Sequence, residues 1–231
     1  MSATARTTGW AAIAYAVVYV LTFVTNALVS TLGPASDVDY RTPLQMIADR
    51  PYGDVFAIGF GLLGAALIVV ATGLRRLIWS DDSIGGAAAS SVGVIAGAGL
   101  MLSGAAGAAQ RGFAPNDLAG TGADTATQLA IVQGGFLLTN AATFLASLAL
   151  FAWLSSVAFA ARRERTMSTR LIVATWLAAL APIASAALTG FAFGFLITIP
   201  YMAALGISLL RRARQSEATA AASTASAALP A

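Results

Sequence analysis

Long apolar runs without charged residues, separated by short polar segments, dominate this chain. They cover residues 10–32, 55–74, 87–109 and 129–161, and one continuous stretch follows from 171 to 210. About 20 helical residues cross the hydrocarbon core of a bilayer, so the last stretch is long enough for two crossings. The glycines of segment 189–194 offer a place to turn back, which divides it into spans 171–189 and 193–210. The pattern predicts an all-α polytopic membrane helix bundle with six transmembrane helices.

Little of the chain remains for a separate soluble domain. We expect residues 1–214 to form one six-span domain. Residues 215–231 are mostly Ala, Ser and Thr, which bury too little apolar surface to form a core, so they are predicted to be a disordered cytoplasmic tail. Segment 42–51, between spans one and two, has a Thr cap, a Pro at the first helical position and a closing Pro, which predicts a short surface helix.

Arginine is distributed unequally between the two sides of the predicted bundle. One side carries Arg6, Arg75, Arg76, Arg162, Arg163, Arg165, Arg170, Arg211, Arg212 and Arg214, and the other carries only Arg41, Arg50 and Arg111. Basic residues favour the cytoplasmic side, so both termini are predicted to be cytoplasmic in a multi-pass protein of the cell membrane. The same arginines account for the net charge of +3. Membrane lipid is therefore the expected partner, and no nucleic acid partner is expected.

The composition excludes several kinds of catalytic chemistry. The chain is 58% hydrophobic and 10% charged, contains no His or Cys, and all 13 of its basic residues are Arg. Thiolate and imidazole metal sites, disulfides, Ser-His and Ser-Lys dyads and Schiff bases are therefore excluded. Every Asp and Glu lies in a loop or at a span edge, whereas proton relays use acids inside the membrane. We expect no catalytic residue, no metal and no cofactor; an enzyme would depend on loop carboxylates, hydroxyls and Arg alone.

Polar side chains form a stripe on one face of span one and a second stripe on span four. Their helical spacing places the members of each stripe on one face. One interpretation is hydrogen bonding between helices, which stabilises packing by about 0.6–2 kcal/mol per bond. The other is an intramembrane polar pocket between spans one and four, lined by Tyr15, Tyr19, Thr22, Asn26, Gln133 and Asn140.

Small residues follow one side of span three. The series is Gly86, Ser90, Gly93, Gly97, Gly104 and Ala108. Small side chains allow two helix backbones to approach closely, which favours packing within this chain or, as the alternative, an interface with a partner or a second copy. Pro182 and Pro200 lie inside spans five and six and indicate either fixed bends or hinges.

The layout resembles that of a bacterial family of multi-pass membrane proteins of unknown function. The resemblance is carried by Gly9-Trp10-Ala11-Ala12-Ile13 at the start of span one, Ile47-Ala48-Asp49 before span two, and Arg75-Arg76 after it. It implies a protein of the cytoplasmic membrane with six or seven spans, and it implies no catalytic residues.

Two functions are compatible with these patterns. The first is a non-enzymatic binding or partner subunit, whose partner is another protein or a second copy in a homo-oligomer. The alternative is a small permease for a neutral or weakly polar solute, which would move by rocking about Pro182 and Pro200.

Overall fold

The computed structural model describes residues 2–32, 53–80, 83–109, 122, 124–189 and 193–227, and all regular structure in these ranges is helical. Five of the helices are long and apolar enough to cross a membrane; in the fifth helix, the apolar stretch Thr169–Ser185 is shorter. The elements are α1 (Ser2–Leu32), α2 (Gly53–Ile78), α3 (Ile84–Ala108), α4 (Thr125–Arg163), α5 (Thr169–Thr189), a 3₁₀ helix (Phe193–Ile197) and α6 (Thr198–Ala227). The predicted all-α helix bundle is confirmed.

The helices coincide with the six predicted spans and extend beyond most of them. Helix α5 ends at Thr189, and the next described element starts at Phe193; residues 190–192 of the predicted turn lie outside the described residues. The prediction of a disordered tail from residue 215 differs from the structure, in which α6 continues to Ala227. Ala is the strongest helix former, and a helix that continues a membrane span needs no new nucleus. The predicted surface helix 42–51 lies outside the described residues.

Neighbouring helices run antiparallel. Gly73 of α2 lies against Thr8 near the start of α1, whereas Gly59 lies against Thr22 farther along it. Helix α6 pairs with α1 in the same way, because Gly206 contacts Gly9 and Thr198 contacts Tyr15. Each long helix packs on the next one in sequence, and α6 returns to pack on α1. The six helices therefore form a closed ring with alternating directions.

Glycine allows the helix backbones to touch at two interfaces. A Cβ atom on Gly97 of α3 would lie 2.6 Å from the carbonyl oxygen of Gly64 in α2. A Cβ atom on Gly206 of α6 would lie 2.7 Å from the carbonyl oxygen of Gly9 in α1. Such contacts maximise van der Waals packing between helices that lipid does not drive together. In the small-residue stripe of α3, five members are buried: Gly86, Ser90, Gly93, Gly97 and Gly104.

Large apolar side chains occupy both the core and the outer surface of the ring. Trp153, Tyr15, Leu67 and Leu150 are fully buried in one continuous cluster. Many others face outward, including Leu137, which is 71% exposed. A protein surrounded by water rarely exposes apolar patches of this extent, whereas lipid solvates them. The exposed surface therefore fits a bundle with lipid around it.

The arginines of the described residues cluster at one end of the ring, which we call the arginine-rich end. The start of α1, the end of α2 and the start of α3 meet there, as the contacts of Thr8 with Gly73 and of Trp79 with Gly86 show. Arg6 of α1 bonds to Glu217 of α6 at 2.5 Å. Both chain ends of the described structure therefore lie at the same end of the bundle.

Candidate functional site

The predicted pocket residues of α1 belong to the packed interior. Tyr15 is fully buried, and its hydroxyl lies 3.2 Å from Oγ1 of Thr198. Thr198 donates its own hydrogen bond to the Phe195 carbonyl at 2.5 Å, so Tyr15 is the donor in the pair. The Tyr19 ring lies 6.2 Å from that of Tyr15, and Thr22 donates to the Val18 carbonyl at 2.8 Å. The side chain of Asn26 lies outside the described residues.

The predicted pocket residues of α4 are not packed against those of α1. Gln133 and Asn140 are exposed. Helices α1 and α4 form no extensive interface in the described part of the chain, because α2 and α3 lie between them on one side of the ring. The described residues therefore do not join these side chains in one pocket.

Thr143 and Ser147 continue the polar stripe of span four beyond Asn140, and Thr143 forms a hydrogen bond between helices. Ser103 of α3 lies 2.9 Å from Oγ1 of Thr143, which donates to the Thr139 carbonyl at 2.8 Å. Ser103 is therefore the donor to Thr143. Ser147 is fully buried and donates to the Thr143 carbonyl at 2.9 Å. This part of the stripe stabilises packing.

A buried hydroxyl cluster between α1, α5 and α6 was not predicted. Tyr15, Thr175, Thr198 and Tyr201 are each at most 3% exposed. Thr175 donates to the Leu171 carbonyl at 2.7 Å, and the Tyr201 hydroxyl lies beside the Thr175 side chain. A Tyr near a span end usually lies at the membrane surface, so burial of Tyr201 was not expected. The i,i+3 spacing of Thr198 and Tyr201 places both hydroxyls on one helix face, and this spacing could have indicated the cluster.

A groove of about 690 Å³ opens at the arginine-rich end, between the α2–α3 turn and the end of α4. Trp79 and Phe159 contribute apolar wall, and Ser83, Ser156, Arg163 and Glu164 contribute polar groups. Ser83 also caps α3 by accepting a hydrogen bond from the Gly86 amide at 3.1 Å. Arg163 and Glu164 lie 3.8 Å apart and are well exposed. The mixture of apolar wall and charged rim suits the interfacial part of a lipid.

The outer segment of α4, residues 125–141, is mostly exposed. Within it only Val132 is buried. The side-chain amides of Gln133 and Asn140 form no hydrogen bond to any described residue. Asp124 caps the segment by accepting a hydrogen bond from the Thr127 amide at 2.8 Å. This bond and a second one from the Thr127 side chain lower the pKa of the exposed Asp124 carboxyl.

The register of α4 against its neighbours explains this exposure. Thr143 lies beside Ser103, and α3 ends only five residues later at Ala108, which is level with position 138 of the antiparallel α4. The Phe159 and Trp176 rings are 5.1 Å apart, so the end of α5 at Thr189 is level with position 146. At 1.5 Å per residue, α4 extends about 20 Å beyond the described end of α3 and about 30 Å beyond that of α5.

No known protein family, curated protein or solved structure matches this chain. The resemblance to a bacterial family of multi-pass membrane proteins therefore stays a prediction.

Proposed function

We propose that this chain is a non-enzymatic partner subunit of the cell membrane, which binds another protein chain through the outer segment of α4. The observation that carries the proposal is the exposed segment 125–141, most of which extends beyond the described ends of α3 and α5. Its surface combines large apolar side chains with the amides of Gln133 and Asn140. An extended apolar surface with polar groups is typical of a protein interaction site.

We further propose six crossings with both termini in the cytoplasm. The antiparallel pairing of α6 with α1 supports an even number of crossings, because the helices alternate in direction around the ring. The shared end of Arg6 and Glu217 supports termini on one side, and the arginine-rich end favours the cytoplasm. In this cysteine-free chain, a Ser216→Cys variant should react with an impermeant maleimide only after the cells are opened, whereas Thr125→Cys should react in intact cells. Labelling of both variants in intact cells would contradict this topology.

Native mass spectrometry of the protein released gently from its own membrane tests the partner function. A Leu129→Ser plus Phe136→Ser variant removes two apolar side chains that are 44% and 53% exposed on α4. The matched control is Ile58→Ser plus Leu62→Ser, which alters two exposed side chains on α2 (63% and 53%).

We expect a bound protein chain on the wild type and the control, and at least a tenfold lower bound fraction on the α4 variant. A wild type that carries no second protein chain would contradict the proposal, as would equal retention by all three proteins. A small neutral solute retained in place of a protein, with uptake that depends on Pro182, would support the permease alternative.

A further inference from the structure

One face of the exposed outer segment of α4 has the spacing of a coiled coil. Counted along the helix, Ala126, Leu129, Gln133, Phe136 and Asn140 step by three, four, three and four residues. All five are exposed. This spacing is the a and d pattern that brings two helices together along one seam. We call these five residues the α4 seam.

The two amides make the α4 seam complementary to itself. A side-chain amide carries both a donor NH₂ group and an acceptor oxygen, so identical amides on two copies satisfy each other across a twofold axis. Gln133 and Asn140 lie seven residues apart, both at a positions, and neither bonds to a described residue. A polar amide at an a position specifies register and favours a paired state in coiled coils.

Membrane geometry restricts how two copies can meet. Two copies in one bilayer with the same orientation are related by a twofold axis along the membrane normal, so their α4 helices run parallel. In parallel pairing Gln133 faces Gln133 and Asn140 faces Asn140, the arrangement that matches donors with acceptors. We infer that a second copy of this chain covers the α4 seam in a parallel homodimer. This inference rests on the proposed partner function and names the partner.

The packed half of α4 explains where the pairing stops. The next a position after Asn140 is Ser147, which is fully buried and hydrogen-bonded inside its own bundle. The next d position, Thr143, is bonded to Ser103. The two helices must therefore diverge beyond Asn140, and pairing is confined to residues 126–140.

Single cysteines test the seam directly, because the chain has none of its own. Gln133→Cys and Asn140→Cys place a thiol at the two a positions. Leu138→Cys is the matched control, since position 138 is exposed at a similar level but is rotated by about 140° from Gln133 on the helix. Under mild oxidation in native membranes, we expect a disulfide dimer from the first two variants and at least tenfold less from the third. Equal dimer yields from all three variants, or no dimer from any, would overturn the inference.

Charge repulsion tests the amide pairing without changing side-chain shape. Gln133→Glu plus Asn140→Asp would place like charges opposite each other in the dimer, whereas Leu138→Glu adds charge away from the seam. We expect the dimer fraction in native mass spectrometry to fall at least tenfold in the first variant and to stay within twofold in the control. A wild type that carries a different protein and forms no homodimer would contradict this inference while the partner function stands. A wild type with no protein companion would contradict both.

Discussion

The two halves of α4 differ in their surroundings more than in their sequence character. Residues 142–163 contribute Trp153, Leu150 and Leu154 to the core, whereas in residues 125–141 only Val132 is buried. Both halves are rich in apolar residues. The difference arises because α3 and α5 end level with the middle of α4, so the lengths of neighbouring helices decide which apolar residues are buried.

Removing one large side chain from each half of α4 should give the largest difference in the free energy of unfolding. Trp153→Ala would leave a void in the fully buried core, where its ring contacts the Gly93 face of α3. We expect a loss of about 3 kcal/mol in the free energy of unfolding, at the lower end for buried aromatics because lipid replaces part of the transfer term. Phe136→Ala, at an exposed position, should change the stability of the monomer by less than about 0.5 kcal/mol.

Denaturation in mixed micelles, with the protein kept monomeric by dilution, measures both variants. A Phe136→Ala loss as large as that of Trp153→Ala would show that the outer half is packed within its own chain.

Adding one methyl group to the packed α3 interface and one to the outer segment of α4 should change the stability of the protein in opposite directions. A Cβ atom on Gly93 would lie 2.6 Å from the Ala71 Cβ and 3.0 Å from the Trp153 ring. Gly93→Ala should therefore destabilise the bundle by about 1–3 kcal/mol through overpacking. Gly134 on the outer segment has no described atom from a neighbouring element within 4 Å of the added Cβ, so Gly134→Ala should stabilise the helix by about 0.5–1 kcal/mol.

Hydrogen exchange of the α4 amides distinguishes these two effects. We expect slower exchange confined to residues near position 134 in Gly134→Ala and faster exchange across the α3–α4 interface in Gly93→Ala. Faster exchange of the outer segment in Gly134→Ala would show that a neighbour contacts this glycine.

The smallest expected effect is a pH-dependent change in helix stability at the start of the outer segment of α4. The hydrogen bonds from Thr127 lower the pKa of Asp124, so the charged carboxylate stabilises the helix start above the pKa of the unfolded chain, about 3.9. This contribution is lost as the pH falls through the lowered pKa of the folded state. Asp124→Asn keeps a cap acceptor without a charge.

Circular dichroism across pH 2 to 6 compares the wild type with the Asp124→Asn variant. Wild-type helix content should fall slightly at the acid end, and the variant should show less of this change. The control Glu217→Gln, at the arginine-rich end, should show the same acid loss of helix content as the wild type, because it leaves Asp124 unchanged. An identical pH response of wild type and Asp124→Asn would exclude the cap as its source.

The sequence predicted helix positions well because span length is a local property. Each apolar run must match the thickness of the hydrocarbon core, and the helices of the described residues follow those runs. The predicted disordered tail differs from the structure because low hydrophobicity does not prevent helix formation, and the Ala-rich segment continues an existing helix to Ala227.

The candidate pocket was harder to predict because helical periodicity identifies a polar face without identifying its neighbour. The stripe of α1 is packed against α2 and α6, through Thr22 with Gly59 and Tyr15 with Thr198. The stripe of α4 divides into an exposed part at Gln133 and Asn140 and a packed part at Thr143 and Ser147. Two polar faces suggested one shared pocket, but the ring order places other helices between them.

By itself, the sequence determined the helical class, the apolar lengths of the spans and the one-sided distribution of arginine, because these depend on composition and on local spacing. Only the tertiary structure decided that α6 closes the ring against α1, that Tyr201 is buried, and that α4 extends beyond α3 and α5. These features depend on which helix faces meet and on where each neighbour ends. Burial is a property of pairs of helices, and no single span specifies its partner.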